Sequence, residues 1–119
     1  METSLLTVLP ERTCREKGKA LKDAIYLLGG KWKPCIISAL WSGSKRFTEL
    51  QEHIIGITPK VLTKELQEME MNYLITRTVN HTKPVSVSYT LTEHAYGTQK
   101  VFDALVEFGF THRKMVIGK

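Results

Sequence analysis

Much of what this 119-residue chain does comes into view through what it lacks. No apolar run approaches the ~18 residues needed to span a bilayer, so no membrane-spanning segment is expected. Cysteine is scarce. Cys14 and Cys35 stand far apart, form no C-x-x-C pair and have no histidine at metal-ligand spacing. Two such cysteines are not a disulfide scaffold, which points to a reducing compartment. His53, His81, His94 and His112 are scattered without an i,i+4 pair, so they read as surface or interface residues, and neither a metal nor a cofactor is expected. A glycine-rich phosphate loop, a nucleophile elbow and a paired-acid constellation are all missing, which argues against an enzyme. Internal repeats and low-complexity tracts are missing too. The segment from Met1 to Pro10 carries an acidic Glu2, lacks a basic n-region and has too short an apolar stretch for a signal peptide. The expectation is a soluble, cytoplasmic protein.

What is present is basic and globular. The formal net charge is +5 and the pI about 9.3, which suggests a polyanionic partner: nucleic acid or an anionic membrane surface. A hydrophobic fraction of 42% with 24% charged residues is ordinary for a domain with its own core. Residues 1–12 read as a flexible N-terminal arm and residues 13–119 as a single domain.

Dense punctuation cuts that domain into short elements. Ala20, Leu21, Ala24, Ile25 and Leu28 recur at helical spacing until Gly29-Gly30 stops them. Pro34 suits a first helical turn, and Ile36, Ile37, Leu40 and Trp41 carry a second helix to Ser42-Gly43. Thr48 with Gln51 fits a capping box for a third helix, whose buried edge is Phe47, Leu50 and Ile54. After Gly56, Thr58 reads as an N-cap and Pro59 as the first residue of a fourth helix with the apolar stripe Leu62, Leu66 and Met69. Asn72 is expected to end it in the left-handed conformation. Period-two alternation then marks strands around Ile75, Arg77 and Val79 and around Val85, Val87, Tyr89 and Leu91, joined by a loop from Asn80 to Pro84. Thr92 caps a last helix, from about Glu93 to Gly109. The fold class is mainly α with a β-hairpin wing (α+β), a winged helix-turn-helix.

At about 100° per residue, Lys60, Thr63, Lys64 and Gln67 fall in one arc of the fourth helix, largely opposite its apolar stripe. Lysine donates to guanine or phosphate, and glutamine pairs bidentately with adenine. Recognition helices contact bases mainly through their N-terminal residues, where Thr58, Lys60, Thr63 and Lys64 sit. Glu65 and Glu68 must then lie on the flanks, because acids near phosphates are unfavourable. His81 and Lys83 mark the wing tip, and Lys45 and Arg46 precede the third helix; all four are candidates for backbone contact. Each group also has a plainer reading, as a solvated helix face, a solvated loop or, for Arg46, a structural ion pair.

The last helix has an apolar face of Val101, Phe102, Leu105 and Phe108, which either covers its own core or closes a homodimer with Leu21 and Ile25. Two-fold symmetry would set half-sites of a pseudo-palindromic operator about 10 bp apart. Cys14, near Arg12, Arg15 and Lys17, is either a redox or electrophile sensor or an idle thiol. Cys35, among apolar neighbours, is expected to be buried. Trp32 and Trp41 are read as core, or as the lining of an effector pocket; no effector is identified. A winged-helix protein-interaction module without DNA binding is the remaining alternative.

The stretches Gly29-Gly30-Lys31-Trp32-Lys33, Arg46-Phe47-Thr48-Glu49-Leu50, Gly56 to Leu66 with Met69-Glu70, and Pro84 to Glu93 resemble the HxlR-type winged helix-turn-helix regulators. The resemblance covers roughly Leu21 to Gly109. It implies a homodimer built on the terminal helices, with two recognition helices in successive major grooves of double-stranded DNA, acting as repressor or activator. Some members sense oxidants or electrophiles at an N-terminal cysteine. Here Cys14 is followed by Arg15 and stands further from the double glycine than is usual, Asn72 and Ala95 stand where glycines are common, and Phe108-Gly109 replaces Trp-Gly.

Overall fold

The computed structural model describes residues 13–118. The arm expected over residues 1–12 lies outside them. Helices α1 (Cys14–Leu28) and α2 (Lys33–Leu40) are followed by strand β1 (Lys45–Arg46), α3 (Phe47–His53), α4 (Pro59–Met71), β2 (Ile75–Asn80), β3 (Ser86–Leu91), α5 (Glu93–Tyr96) and α6 (Gln99–Ile117). The three strands form one antiparallel sheet in the order β1-β3-β2. This is the expected α+β winged helix: α3 and α4 are the helix-turn-helix, and β2-β3 is the wing.

Local chemistry fixes most boundaries. Thr13 caps α1 through a reciprocal box with Glu16. Thr58 Oγ1 accepts from Val61 N at 3.2 Å and Pro59 opens α4, as expected. Gly56, at φ +91, makes the turn between α3 and α4, and the Gln51 side-chain amide pins that turn by donating to the Ile57 carbonyl.

Four expectations are corrected. The box opening α3 lies two residues earlier than Thr48 and Gln51. Glu49 Oε1 accepts from Arg46 N at 2.7 Å, because β1 delivers the chain to Phe47 already extended. The left-handed residue after α4 is Tyr73 (φ 63), not Asn72 (φ −98). Asn72 instead donates its side-chain amide to Glu68 O, and Leu74 N and Tyr73 N close a Schellman turn onto Met69 O and Glu70 O. The last helix is two. Thr92 Oγ1 accepts from Ala95 N and caps only the four residues of α5, and α6 restarts after Gly97-Thr98 and continues to Ile117. Finally, Cys35 is exposed. Ile36, Ile37, Ala39 and Leu40 already form the buried side of α2, and Cys35 shares the outward side with Ser38.

Every buried hydrophobic side chain among the described residues lies between Ile36 and Ala95. Ile36, Leu40, Leu50, Leu62, Leu66, Met69 and Leu74 form the centre of that core. Phe47, Trp32, Trp41 and Phe102 pack against its edge, half-buried. In contrast, α1 and α6 contain no buried residue.

Candidate nucleic-acid interface

The core stripe of α4 decides which of its residues face outward. Leu62, Leu66 and Met69 are buried, and Thr58, Lys60, Thr63, Lys64 and Gln67 are all exposed. The helix therefore presents two amines, two hydroxyls and an amide on one side; Pro59 has no N–H and the Thr58 cap takes that of Val61, which leaves the first-turn N–H of Lys60 at the same end. Thr58 Oγ1 serves as the cap acceptor, and its hydroxyl hydrogen remains available to donate.

The acids of α4 are handled from below. Lys33 Nζ, reaching up from the first residue of α2, lies 2.8 Å from Glu65 Oε1 and 2.9 Å from Glu68 Oε1. Burial pushes the Lys33 ammonium towards the neutral form. The hydrogen bonds and charges of the two glutamates more than reverse this and hold its pKa above the ordinary lysine value. The Lys33 hydrogen bond and charge, with a smaller pull from Lys64, hold Glu68 below the ordinary carboxylate range. Both carboxylates are thereby turned to the flank of α4 that faces α2, the placement that the sequence leads one to expect for them. Lys33 escaped the sequence reading because its partners lie 32 and 35 residues away; a lysine at the head of an apolar helix gives no local sign of burial.

The remaining candidates fall into two groups. Lys45 and Arg46 form β1 and pair with Tyr89 and Ser88 of β3. They line a polar cleft of about 340 Å³ with Ser44, Glu49, Asn80 and Thr82, at the base of the wing. Lys45 is half-buried, its Nζ 3.5 Å from Ser42 Oγ, and Arg46 is exposed and forms no ion pair among the described residues. His81 and Lys83 are exposed in the hairpin loop, on either side of Thr82, and do not line that cleft themselves. Cys14 is exposed as the first residue of α1. No group of three or more potential metal ligands occurs among the described residues. No helix there is long and apolar enough to cross a membrane.

On the other side of the sheet, Arg77 lines a second cleft, with Thr63, Gln67 and Glu70 of α4. The sequence reading assigned Arg77 only to a strand. The available signal was a cation at a position that the β2 alternation otherwise gives to Ile75 and Val79.

This arrangement is shared with known proteins. The profile of the HxlR-like helix-turn-helix family matches residues 27–116. The HTH-type transcriptional regulator YodB of Bacillus subtilis is 41% identical over 85 residues, covering 71% of this chain and 76% of YodB. The reduced form of YodB superposes with a TM-score of 0.72 at 33% identity, over 91% of this chain and 99% of that one. A structure described as a transcriptional regulator of the MarR family from Enterococcus faecalis gives a TM-score of 0.79 at 31% identity, over 92% and 100% of the two chains. The redox regulator HypR in its reduced form gives 0.74 at 29% identity, over 84% and 99%. These are regulators rather than enzymes. The chain belongs to the HxlR-like helix-turn-helix family of DNA-binding transcriptional regulators.

Proposed function

We propose that this chain is a cytoplasmic homodimer that binds a pseudo-palindromic operator sequence-specifically. In this reading α4 enters the major groove, Lys45 and Arg46 meet the backbone, and the wing tip, His81 and Lys83, reaches the backbone or the minor groove. The observation that carries it is the two-sidedness of α4: Lys60, Thr63, Lys64 and Gln67 exposed together, while Glu65 and Glu68 are drawn aside by Lys33. Gln67 and Lys60 supply base contacts, and the wing cation supplies position rather than sequence information.

The dimer rests on the terminal helices. Leu21 and Ile25 on α1 are each 60% exposed, and on α6 Leu105 is 56% and Phe108 67% exposed, with Val101 beside them. Apolar faces of that extent on two long helices mark an interaction surface. Phe102 turns to the groove over Pro34 and Trp41, so it anchors α6 to the core behind that surface. Two-fold pairing would place the α4 helices about 34 Å apart, one turn of DNA.

The test is binding of the purified protein to its own upstream intergenic duplex, titrated against salt and random competitor. Competitor-resistant binding with a steep salt slope is expected, and Gln67→Ala should lose specific affinity while keeping non-specific affinity. Salt-independent or absent binding to every duplex would leave only a protein-interaction role for the fold.

A second reading concerns control. YodB and HypR are described by redox state, and here Cys14 is exposed at the start of α1, one of the two helices assigned to the dimer. Oxidation at Cys14 would then alter DNA affinity through the interface. Mild peroxide should change wild-type binding and leave Cys14→Ser unmoved; equal responses of the two proteins would eliminate the sensor.

A further inference from the structure

The recognition helix is a poor attractor of DNA on its own charges. Between Pro59 and Met71 it carries Lys60 and Lys64 against Glu65, Glu68 and Glu70, a formal charge of −1. Lys33 offsets the first two acids, but its ammonium is buried on the core side. A polyanion approaching from outside needs a further cation beside this helix, on the solvent side.

Arg77 is that cation, and packing does not account for its position. The strand register sets Ile75 opposite Leu91, Arg77 opposite Tyr89 and Val79 opposite Val87. Arg77 therefore occupies the core-facing side of β2, one step beyond the point where the core ends, and it is exposed. It overhangs a cleft of about 290 Å³ between α4 and the hairpin. Thr63, Gln67 and Glu70 form the helix wall, and Leu66 and Tyr89 contribute to an apolar floor. No ion pair holds Arg77 among the described residues.

We propose that this cleft seats the sugar–phosphate strand that separates the groove occupied by α4 from the groove reached by the wing, and that Arg77 clamps one of its phosphates. The inference rests on the docking proposed above. A helix in one groove and a hairpin in the next must straddle the intervening strand, and this cleft lies between the helix and the hairpin. Guanidinium binds phosphate through two parallel N–H donors, and the Thr63 hydroxyl adds a donor from the facing wall. The apolar floor suits the carbon edges of deoxyribose, which a site for a free anion would not need. Glu70 bounds the seat, because its carboxylate repels any phosphate displaced towards it.

Because the contact is to backbone, a mixed-sequence duplex of about 30 bp, long enough for two half-sites, is a sufficient probe. Binding followed by fluorescence anisotropy across a salt series should show Arg77→Gln weaker by about tenfold, with the log–log salt slope reduced by about 0.9. Arg77→Lys should keep the slope. Glu70→Gln should bind more tightly than wild type, and all three should melt at the wild-type temperature. An Arg77→Gln protein with wild-type affinity and slope overturns the seat and leaves the DNA-docking reading intact. Weaker binding by both Arg77→Gln and Glu70→Gln, with lowered melting temperatures, makes Arg77 a structural partner of Glu70 and overturns it as well. A wild-type protein that ignores the duplex even at low salt overturns the docking and the seat together.

Discussion

The middle of this chain and its two ends are both helical, yet they are built on opposite terms. From Ile36 to Ala95 the elements are short, three of the helices having eight residues or fewer, and that stretch holds all the buried hydrophobic side chains among the described residues. The ends, α1 and α6, are long, with 15 and 19 residues, and bury none. Most helical stability in proteins comes from packing of an amphipathic face rather than from the helix alone. Short elements gain their stability from mutual packing, whereas a long helix with an uncovered apolar face gains it from a partner. In the proposed dimer the contrast divides the labour: the centre would hold the DNA-reading surface, and the ends would bring two such surfaces together.

The sharpest way to break this comparison is to charge the ends. Leu105→Asp combined with Phe108→Asp should convert a sedimenting dimer to monomer at micromolar concentration and weaken binding to the upstream duplex about a thousandfold, through loss of the second half-site. An unchanged sedimentation coefficient would place the interface elsewhere. Leu62→Ala strikes the centre instead. It should cost about 3 kcal/mol, read as a lower urea midpoint, because Leu62 is completely buried.

A smaller effect tests the bridge between α2 and α4. Lys33→Met leaves two carboxylates without their cation and should destabilise by about 1–2 kcal/mol, discounted because both acids keep some solvent contact. The pH dependence is defined. Lys33 has a raised pKa, so its contribution is full below its unfolded value of 10.5 and lost as pH rises through the higher folded value. Glu68 has a lowered pKa, so its contribution is full above its unfolded value of 4.5 and lost as pH falls through the lower folded value. The gap between wild type and Lys33→Met should thus be flat between those limits and narrow outside them; a gap that changes at neutral pH would contradict the ion-pair origin. The smallest expected change is a gain. Tyr73→Gly relieves a left-handed tyrosine and should stabilise by about 0.5 kcal/mol in thermal melts, after the extra chain entropy of glycine is subtracted.

The same division explains what the sequence disclosed. In the centre, pattern and chemistry coincide. Thr58-Pro59 opens α4, Leu62, Leu66 and Met69 face inward, and the hairpin alternates, so the helix-turn-helix and the exposed side of α4 were legible from residue types alone. Features set at a distance were not. Lys33 meets Glu65 and Glu68 only after α2 crosses α4. Strand β1, with two residues, has no periodicity to reveal it. Cys35 resembles a core residue in sequence and faces outward because its neighbours already fill the buried side. The cap after α4 was displaced by one residue because Asn72 found a better use for its amide. At the C-terminal end, Thr92 was a true cap for a much shorter helix, and the break at Gly97-Thr98 was hidden by apolar residues on both sides.

That break has mechanical meaning. With 19 residues, α6 is an arm about 28 Å long. Its root is the joint at Gly97-Thr98, where Thr98 Oγ1 holds Ala95 O at 2.6 Å, and Phe102 braces it one turn further on. In a dimer closed by α6, a 10° swing at that root would carry the far end through roughly 5 Å, a sizeable fraction of the ~34 Å between successive major grooves. The joint would then act as the adjusting screw of a caliper, whose jaws are the two recognition helices.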